Sequence, residues 1–276
     1  MTPEEIKQAI EKLRNLGKSS NNNEAIVFAH ELLEKQAIQE DAESLAKVYN
    51  LLGIVYYQLS DYPKALEYYS KALHINEEIG NKFGIAINLG NIGIVYKNLS
   101  NYPKGLEYNS KALHINEELG NKDGIAINLS NIGNVYYDLS DYSKALEYHT
   151  KALHINEEIG KKVGVAAILR NIGNVYYQLS DFPKSLEYYS KALQIFEDIG
   201  NKNGIAGNLL NIGIVYSKTE SPFYDARKAK EYLQKALVLG EEIGAKDVIK
   251  EVYEYLHRLR RNEKQFEEAL EYHLKS

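Results

Sequence analysis

No cysteine occurs among the 276 residues, which removes disulfides and thiolate metal sites and is compatible with a reducing compartment. No apolar run reaches the length of a membrane span, and no signal peptide stands at Met1, where TPEEIKQ reads as a capped helix start. An excess of one charge is also missing. The net charge is −5 with acids and bases interspersed, so nothing electrostatic recommends nucleic acid or an anionic membrane as a partner. There is no GxGxxG, P-loop, HExxH or nucleophile elbow, and pairs such as Glu77 and Glu78 are ordinary helix surface. These absences leave no case for an enzyme: no catalytic residue, no cofactor and no metal. A cytoplasmic location is expected.

What the chain has is repetition. The stretch NLGNIGIVYKNLSNYPKGLEYNSKALHINEELGNK, from Asn88 to Lys122, returns nearly letter for letter from Asn128, and looser copies begin near Val48, Ile168 and Asn208. A fixed period of this length marks a solenoid, whose units cannot bury an apolar face alone and must stack. Within one copy the apolar residues follow helical spacing twice. Ile85, Leu89, Ile92, Gly93, Tyr96 and Leu99 form one stripe; Leu106, Ala112, Leu113 and Ile115 form the other. Between them Asn101 is placed to cap a new helix, with Pro103 in its first turn. Gly120 is placed to end that helix in a left-handed cap, and Asn121 to start the next. Each unit therefore reads as a helix hairpin. The expected fold is all-α, a solenoid of about seven stacked antiparallel hairpins.

Length alone suggests about two domains, but the period runs on with no linker, so a single array over residues 1–276 is expected. It opens with a degenerate unit, 1–40: a helix from Glu4 to Leu16, a polar turn from Asn15 to Asn23, and a partner helix from Glu24 to Gln36. Full repeats follow at 44–80, 84–120, 124–160, 164–200 and 204–244, the last with extra residues in the turn between Lys218 and Arg227. A final unit, 247–276, includes Tyr253, His257, Phe266, Ala269 and Tyr272. Its second helix stops short at Ser276 and reads as a cut end. Helix-interior glycines recur at Gly53, Gly93, Gly133, Gly173 and Gly213. Each costs about 0.5–1 kcal/mol relative to alanine, so they are expected where helices approach closely. Tyr56, Tyr96, Tyr136, Tyr176 and Tyr216, three residues later, are expected to point to the core.

These residues resemble the tetratricopeptide repeat. Gly93, Tyr96, Tyr102, Leu106, Tyr108 and Ala112 carry its small-residue and aromatic signature, and the glycine and tyrosine recur in every full copy. The period of forty replaces the family's thirty-four, and Glu117 stands where shorter members usually place a proline; longer helices explain both.

Opposite the core stripe, the first helix of each repeat carries a second row at steps of four, three and four. It reads Lys47, Leu51, Ile54, Gln58; Ile87, Asn91, Ile94, Asn98; Ile127, Asn131, Asn134, Asp138; Ala167, Asn171, Asn174, Gln178; and Gly207, Asn211, Ile214, Lys218. Three of these twenty places are charged and nine carry amides, an unusual makeup for a solvated face. Asn and Gln each offer donors and an acceptor on a short arm, so such a row can pair with the N–H and C=O of an extended peptide. Ile54, Ile94, Ile127 and Ile214 would add shallow apolar contacts. Tyr57, Tyr137 and Tyr177 flank the row.

The resemblance implies that first helices line a concave groove, where asparagines of long-period members, such as Pins-type adaptors and kinesin light chains, hold a partner's backbone. Asn91, Asn131, Asn171 and Asn211 occupy the matching places; Leu51 departs from them. Arg170, Asn174 and Asn211 also match the start of the family's carboxylate clamp, but Glu251 and Tyr255 stand where its further cations belong. The candidate contact residues are Asn91, Asn98, Asn131, Asn134, Asp138, Asn171, Asn174, Gln178, Asn211, Tyr137, Tyr177 and Arg170. A structural role for the asparagines, bridging neighbouring helices, is the competing reading. His74, His114 and His154 fall on a solvated second-helix face with Glu–Lys support.

The leading function is a protein interaction scaffold for an extended peptide or partner protein. The alternatives are a sensor or regulatory segment of a larger bacterial signalling protein, and a structural array that self-associates through its terminal repeats.

Overall fold

A computed structural model describes residues 1–18 and 21–275, with side chains as far as Asn262. Among the described residues the elements are helices and no strand: α1 (Pro3–Lys18), α2 (Asn22–Leu33), α3 (Gln36–Gln39), α4 (Ala42–Gln58), α5 (Tyr62–Glu78), α6 (Lys82–Asn98), α7 (Tyr102–Glu118), α8 (Lys122–Asp138), α9 (Tyr142–Glu158), α10 (Lys162–Gln178), α11 (Phe182–Asp198), α12 (Lys202–Ser217), α13 (Ala226–Ile243) and α14 (Lys246–Lys275). The fold class is an all-α solenoid.

The same start and stop chemistry sets each boundary. Asp61, Asn101 and Asp181 accept from the backbone N–H of Lys64, Lys104 and Lys184, with a proline in each first turn. Asn81, Asn121 and Asn201 cap the following first helices through Gly84, Gly124 and Gly204. Each such cap stabilises its helix by about 1 kcal/mol. Second helices end on left-handed glycines, Gly80, Gly120, Gly160, Gly200 and Gly244, with φ from 63° to 68°. First helices end on serine instead: Ser60, Ser100, Ser140 and Ser180 take φ of 56° to 59° with no glycine to ease the turn.

The chain divides into two compact units, residues 1–141 and 142–276. In the first, α4 pairs with α5 and α6 with α7, while α1, α2 and α3 close the start. Leu13, Ala25, Ile38, Val48, Leu52, Val55 and Tyr69 are buried in one cluster. Gly53 lets the Tyr69 ring lie directly against α4: a Cβ there would stand 2.5 Å from two ring carbons. In the second unit α10 pairs with α11 and α12 with α13, around Leu169, Phe196, Leu210, Leu233 and Val252.

Several expectations are corrected. The last unit is not a hairpin: α14 runs unbroken from Lys246 to Lys275 against α13 and α12, because no glycine or proline interrupts it. The side chains of Phe266, Ala269 and Tyr272 lie outside the described residues, as do Ser19 and Ser20 of the first polar turn. The second helix of the first unit stops at Leu33, and the one-turn α3 then buries Ile38 completely. Of the tyrosines expected in the core, Tyr56 is buried, while Tyr96, Tyr136, Tyr176 and Tyr216 are half-buried. Tyr56, Tyr96, Tyr176 and Tyr216 stack on Tyr68, Tyr108, Tyr188 and Tyr232 at 5.3–5.8 Å between centroids. Lys64, Lys104, Lys184 and Lys228 lie over their outer faces, so these rings close the hairpin edges.

Candidate functional site

The amide row lies on α6 and α8 in the first unit and on α10 and α12 in the second. Asn91, Asn98, Asn131, Asn134, Asn171, Asn174 and Asn211 are half-buried, with Asp138 and Gln178 exposed at the helix ends. Ile87 and Ile127 are 40% and 49% exposed. Ile214 is not available as a shallow contact: α14 lies against α12, and Ile214 is buried with Leu210 and Leu233.

In the first unit the amides are tied sideways to neighbouring helices. Asn91 Nδ2 donates to Asn50 Oδ1 at 3.0 Å, Asn98 Nδ2 to the Tyr57 hydroxyl at 2.8 Å, and Asn131 Nδ2 to Asn109 Oδ1 at 3.1 Å. Asp138 pairs with Lys97 at 3.1 Å. Asn134 and Tyr137 are also engaged. In the second unit Asn174 Oδ1 accepts from the Tyr189 hydroxyl at 2.7 Å and from Asn211 Nδ2 at 3.3 Å. Asn171 and Gln178 have partners as well. Tyr177 meets the Phe182 ring edge-on at 5.9 Å, and Lys218 lies over it.

The bridging role weighed for these asparagines is thus present. An amide offers two N–H donors and two acceptor lone pairs, so a single lateral bond, as at Asn91 and Asn98, orients the group without exhausting it. Arg170 is half-buried on α10 and has no carboxylate partner among the described residues. Burial lowers its guanidinium pKa from the ordinary value, and Tyr189 opposes that shift; the group stays cationic. A cation held this way suits a partner's anionic or carbonyl oxygen.

Sequence reasoning missed a second layer of amides. Asn76, Asn88, Asn109, Asn116, Asn128, Asn156 and Asn208 are all buried, and several bond to one another. The recurrence of Asn76, Asn116 and Asn156 in HINEE, and of Asn88 and Asn128 in INL, was the available signal. The outer row is tied to this layer at Asn131, which satisfies the side-chain carbonyl of the fully buried Asn109.

His74 and His114 are exposed, each 3.3 Å from a glutamate one turn on. Among the described residues no group of three His, Asp or Glu side chains is arranged to hold a metal ion, and no helix is long and apolar enough to cross a membrane.

Family models described as tetratricopeptide repeat match residues 46–79, 84–158 and 164–239. A search of curated proteins gave no match. Among solved structures, a Rap protein complexed with competence and sporulation factor is 16% identical, with 94% of this chain and 88% of that one covered and a TM-score of 0.68. The Rap conjugation gene regulator of a plasmid, in complex with the Phr* peptide, is 16% identical over 93% of this chain and 84% of its own, with a TM-score of 0.67. A signal transduction ATPase with a tetratricopeptide repeat sensor, from Pyrococcus horikoshii, is 21% identical; 95% of this chain covers 43% of that one, with a TM-score of 0.67. At these identities the likeness is one of fold. Since the family models take in more than half of the residues, and the helices they cover form the repeated capped pattern described above, the chain belongs to the tetratricopeptide repeat family.

Proposed function

We propose that the chain is a protein interaction scaffold whose first-helix face binds an extended peptide or a peptide-like segment of a partner protein. The observation that carries this reading is the row of neutral amides held half-exposed by cross-helix hydrogen bonds. Groups ordered in advance lose less freedom on binding, and their remaining donors and acceptors suit a peptide backbone of any sequence. Ile87 and Ile127, exposed between the amides, add apolar contact. In the first unit Asn98 and Asn134 would form the polar line beside Tyr137; in the second unit Asn171, Asn174, Gln178 and Asn211 would form it beside Tyr177, with Arg170 at an acidic or carbonyl group. The site performs no chemistry in this reading, and a cytoplasmic setting suits it.

The regulatory alternative is favoured by one observation: the Pyrococcus horikoshii protein, described as a signal transduction ATPase with a repeat sensor, exceeds twice the share this chain covers. In that reading the same face senses a partner on behalf of another segment.

The test pans displayed random dodecapeptides on the whole chain and measures affinity by fluorescence anisotropy. Asn98→Ala with Ile127→Lys should weaken selected peptides by about tenfold or more, while His154→Ala on a second helix should not. Equal binding by both variants would refute the groove assignment.

A further inference from the structure

Beneath the exposed row of the first unit runs a chain of asparagine amides whose direction is fixed by the backbone. Gly84 N–H donates to Asn81 Oδ1 at 3.0 Å, and a backbone N–H can only donate, so the carbonyl end of Asn81 must face it. Asn81 Nδ2 then donates to Asn76 Oδ1 at 2.9 Å, Asn76 Nδ2 to Asn88 Oδ1 at 2.8 Å, and Asn88 Nδ2 to Asn50 Oδ1 at 2.9 Å. The Ala72 carbonyl, accepting from Asn76 Nδ2 at 3.0 Å, sets the same direction independently. Asn50 ends the chain. Its oxygen accepts twice, the second time from Asn91, and its own Nδ2 has no partner among the described residues. An amide polarised through its oxygen is a stronger donor.

Asn50 lines a cleft of about 620 Å³ in the first unit, between α1, α4 and α6, within the range of small-ligand sites. Leu51, Ile54, Phe83 and Ile87 supply apolar walls, and Phe83 is 56% exposed. Arg14 and Lys47 at the rim pair with Glu11 and Glu43, and Lys18 adds one further cation there. Next to Asn50, Asn91 has given one N–H and keeps an Oδ1 without a partner among the described residues. An N–H donor in the cleft lining and a carbonyl acceptor hydrogen-bonded beside it, just outside that lining, match one residue of an extended peptide.

We propose that this cleft seats a leucine or aromatic side chain of the bound peptide, whose backbone carbonyl accepts from Asn50 Nδ2 and whose N–H donates to Asn91 Oδ1. The inference rests on the peptide-contact reading and gives one end of that face a side-chain preference. It also accounts for Leu51, which stands where the other copies carry an asparagine because this place is a wall of the cleft. The next copy repeats the chain as far as Asn128, through Asn121 and Asn116. There Gly90 replaces Asn50, its missing side chain leaving Asn128 Nδ2 within 3.2 Å of the Cβ position.

The variant that tests the claim is Asn50→Asp, which keeps an oxygen for Asn88 and Asn91 and replaces the N–H₂ donor by a carboxylate oxygen that repels the peptide carbonyl. Displayed random dodecapeptides are panned on the full chain and the enriched sequences are synthesised with a fluorophore. The enriched peptides should share a leucine or aromatic residue at one place. Asn50→Asp, and alanine in place of that residue, should each weaken binding by about tenfold or more, with less than additive loss when combined. Ile87→Lys alters an exposed wall and should produce the same loss, which carries the test should Asn50→Asp fail to fold. Peptides that bind Asn50→Asp and Ile87→Lys as tightly as the wild type, yet are weakened by Ile127→Lys, overturn the seat and leave the groove reading standing. Failure of the chain to enrich any peptide overturns both.

Discussion

Replacing two glycines of the first unit by alanine should shift stability in opposite directions. At Gly53 a Cβ would lie 2.5 Å from Cδ1 and Cε1 of Tyr69 and 3.0 Å from Cγ, where carbon atoms settle at about 3.5–4.0 Å. The Tyr69 ring is 3% exposed and has nowhere to move. Overpacking of this kind costs about 1–3 kcal/mol, and contact with a rigid ring belongs at the upper end; the alanine returns about 1 kcal/mol of helix propensity. Gly53→Ala should therefore destabilise by about 2 kcal/mol. At Gly105 the nearest atoms, Gly93 O and Lys97 N, stand at 3.4 Å, and Ala65 and Ala145 fill the same place in other repeats. Gly105→Ala should stabilise by about 0.5–1 kcal/mol. Urea unfolding followed by far-ultraviolet circular dichroism reads both, since both sites lie in one compact unit. Stabilisation by Gly53→Ala, or destabilisation by Gly105→Ala, would refute the claim that ring approach dictates which glycine is needed.

Burial lowers the pKa of His149 from 6.5 to about 4, so between those values the unfolded chain binds the proton first and stability falls with pH. The loss should be on the order of 2 kcal/mol at pH 5 relative to neutral pH, and His149→Tyr should flatten it in urea melts at the two pH values; an unchanged slope would contradict the buried neutral imidazole. Asn131→Ala strands the buried carbonyl of Asn109 and should cost about 1–3 kcal/mol, whereas a silent substitution would show the bond to be dispensable. Ser100 has φ of 56°. Ser100→Gly should relieve about 1–2 kcal/mol of left-handed strain against about 0.4–1 kcal/mol of added unfolded-state entropy; a drop in melting temperature would count against that strain.

The hairpins and their caps were legible because their causes are local: Asn101, Pro103, Gly120 and Asn121 each act within a few residues of their place in the sequence. Long-range effects were not. Ile214 falls on the outward row by spacing, yet α14 covers it. The period suggested a break in the last unit where the local sequence contains no helix stop. Asn88 is 1% exposed, although its residue type reads as surface, because only the folded hairpins bring Asn76 and Asn50 close enough to satisfy it. The left-handed serines carry no propensity signal at all. For the candidate site, the row itself was visible from its spacing, while the bonds that orient it depend on the neighbouring helices.

Side-chain amide resonances of the isotope-labelled chain, followed as a panned peptide is titrated in, address the central claim most directly. The account predicts that the N–H₂ signals of Asn91, Asn98, Asn171 and Asn211 shift, while His74, His114 and His154 on the second helices stay in place. Shifts confined to those histidines and their surroundings, with the asparagine signals unmoved, would contradict it.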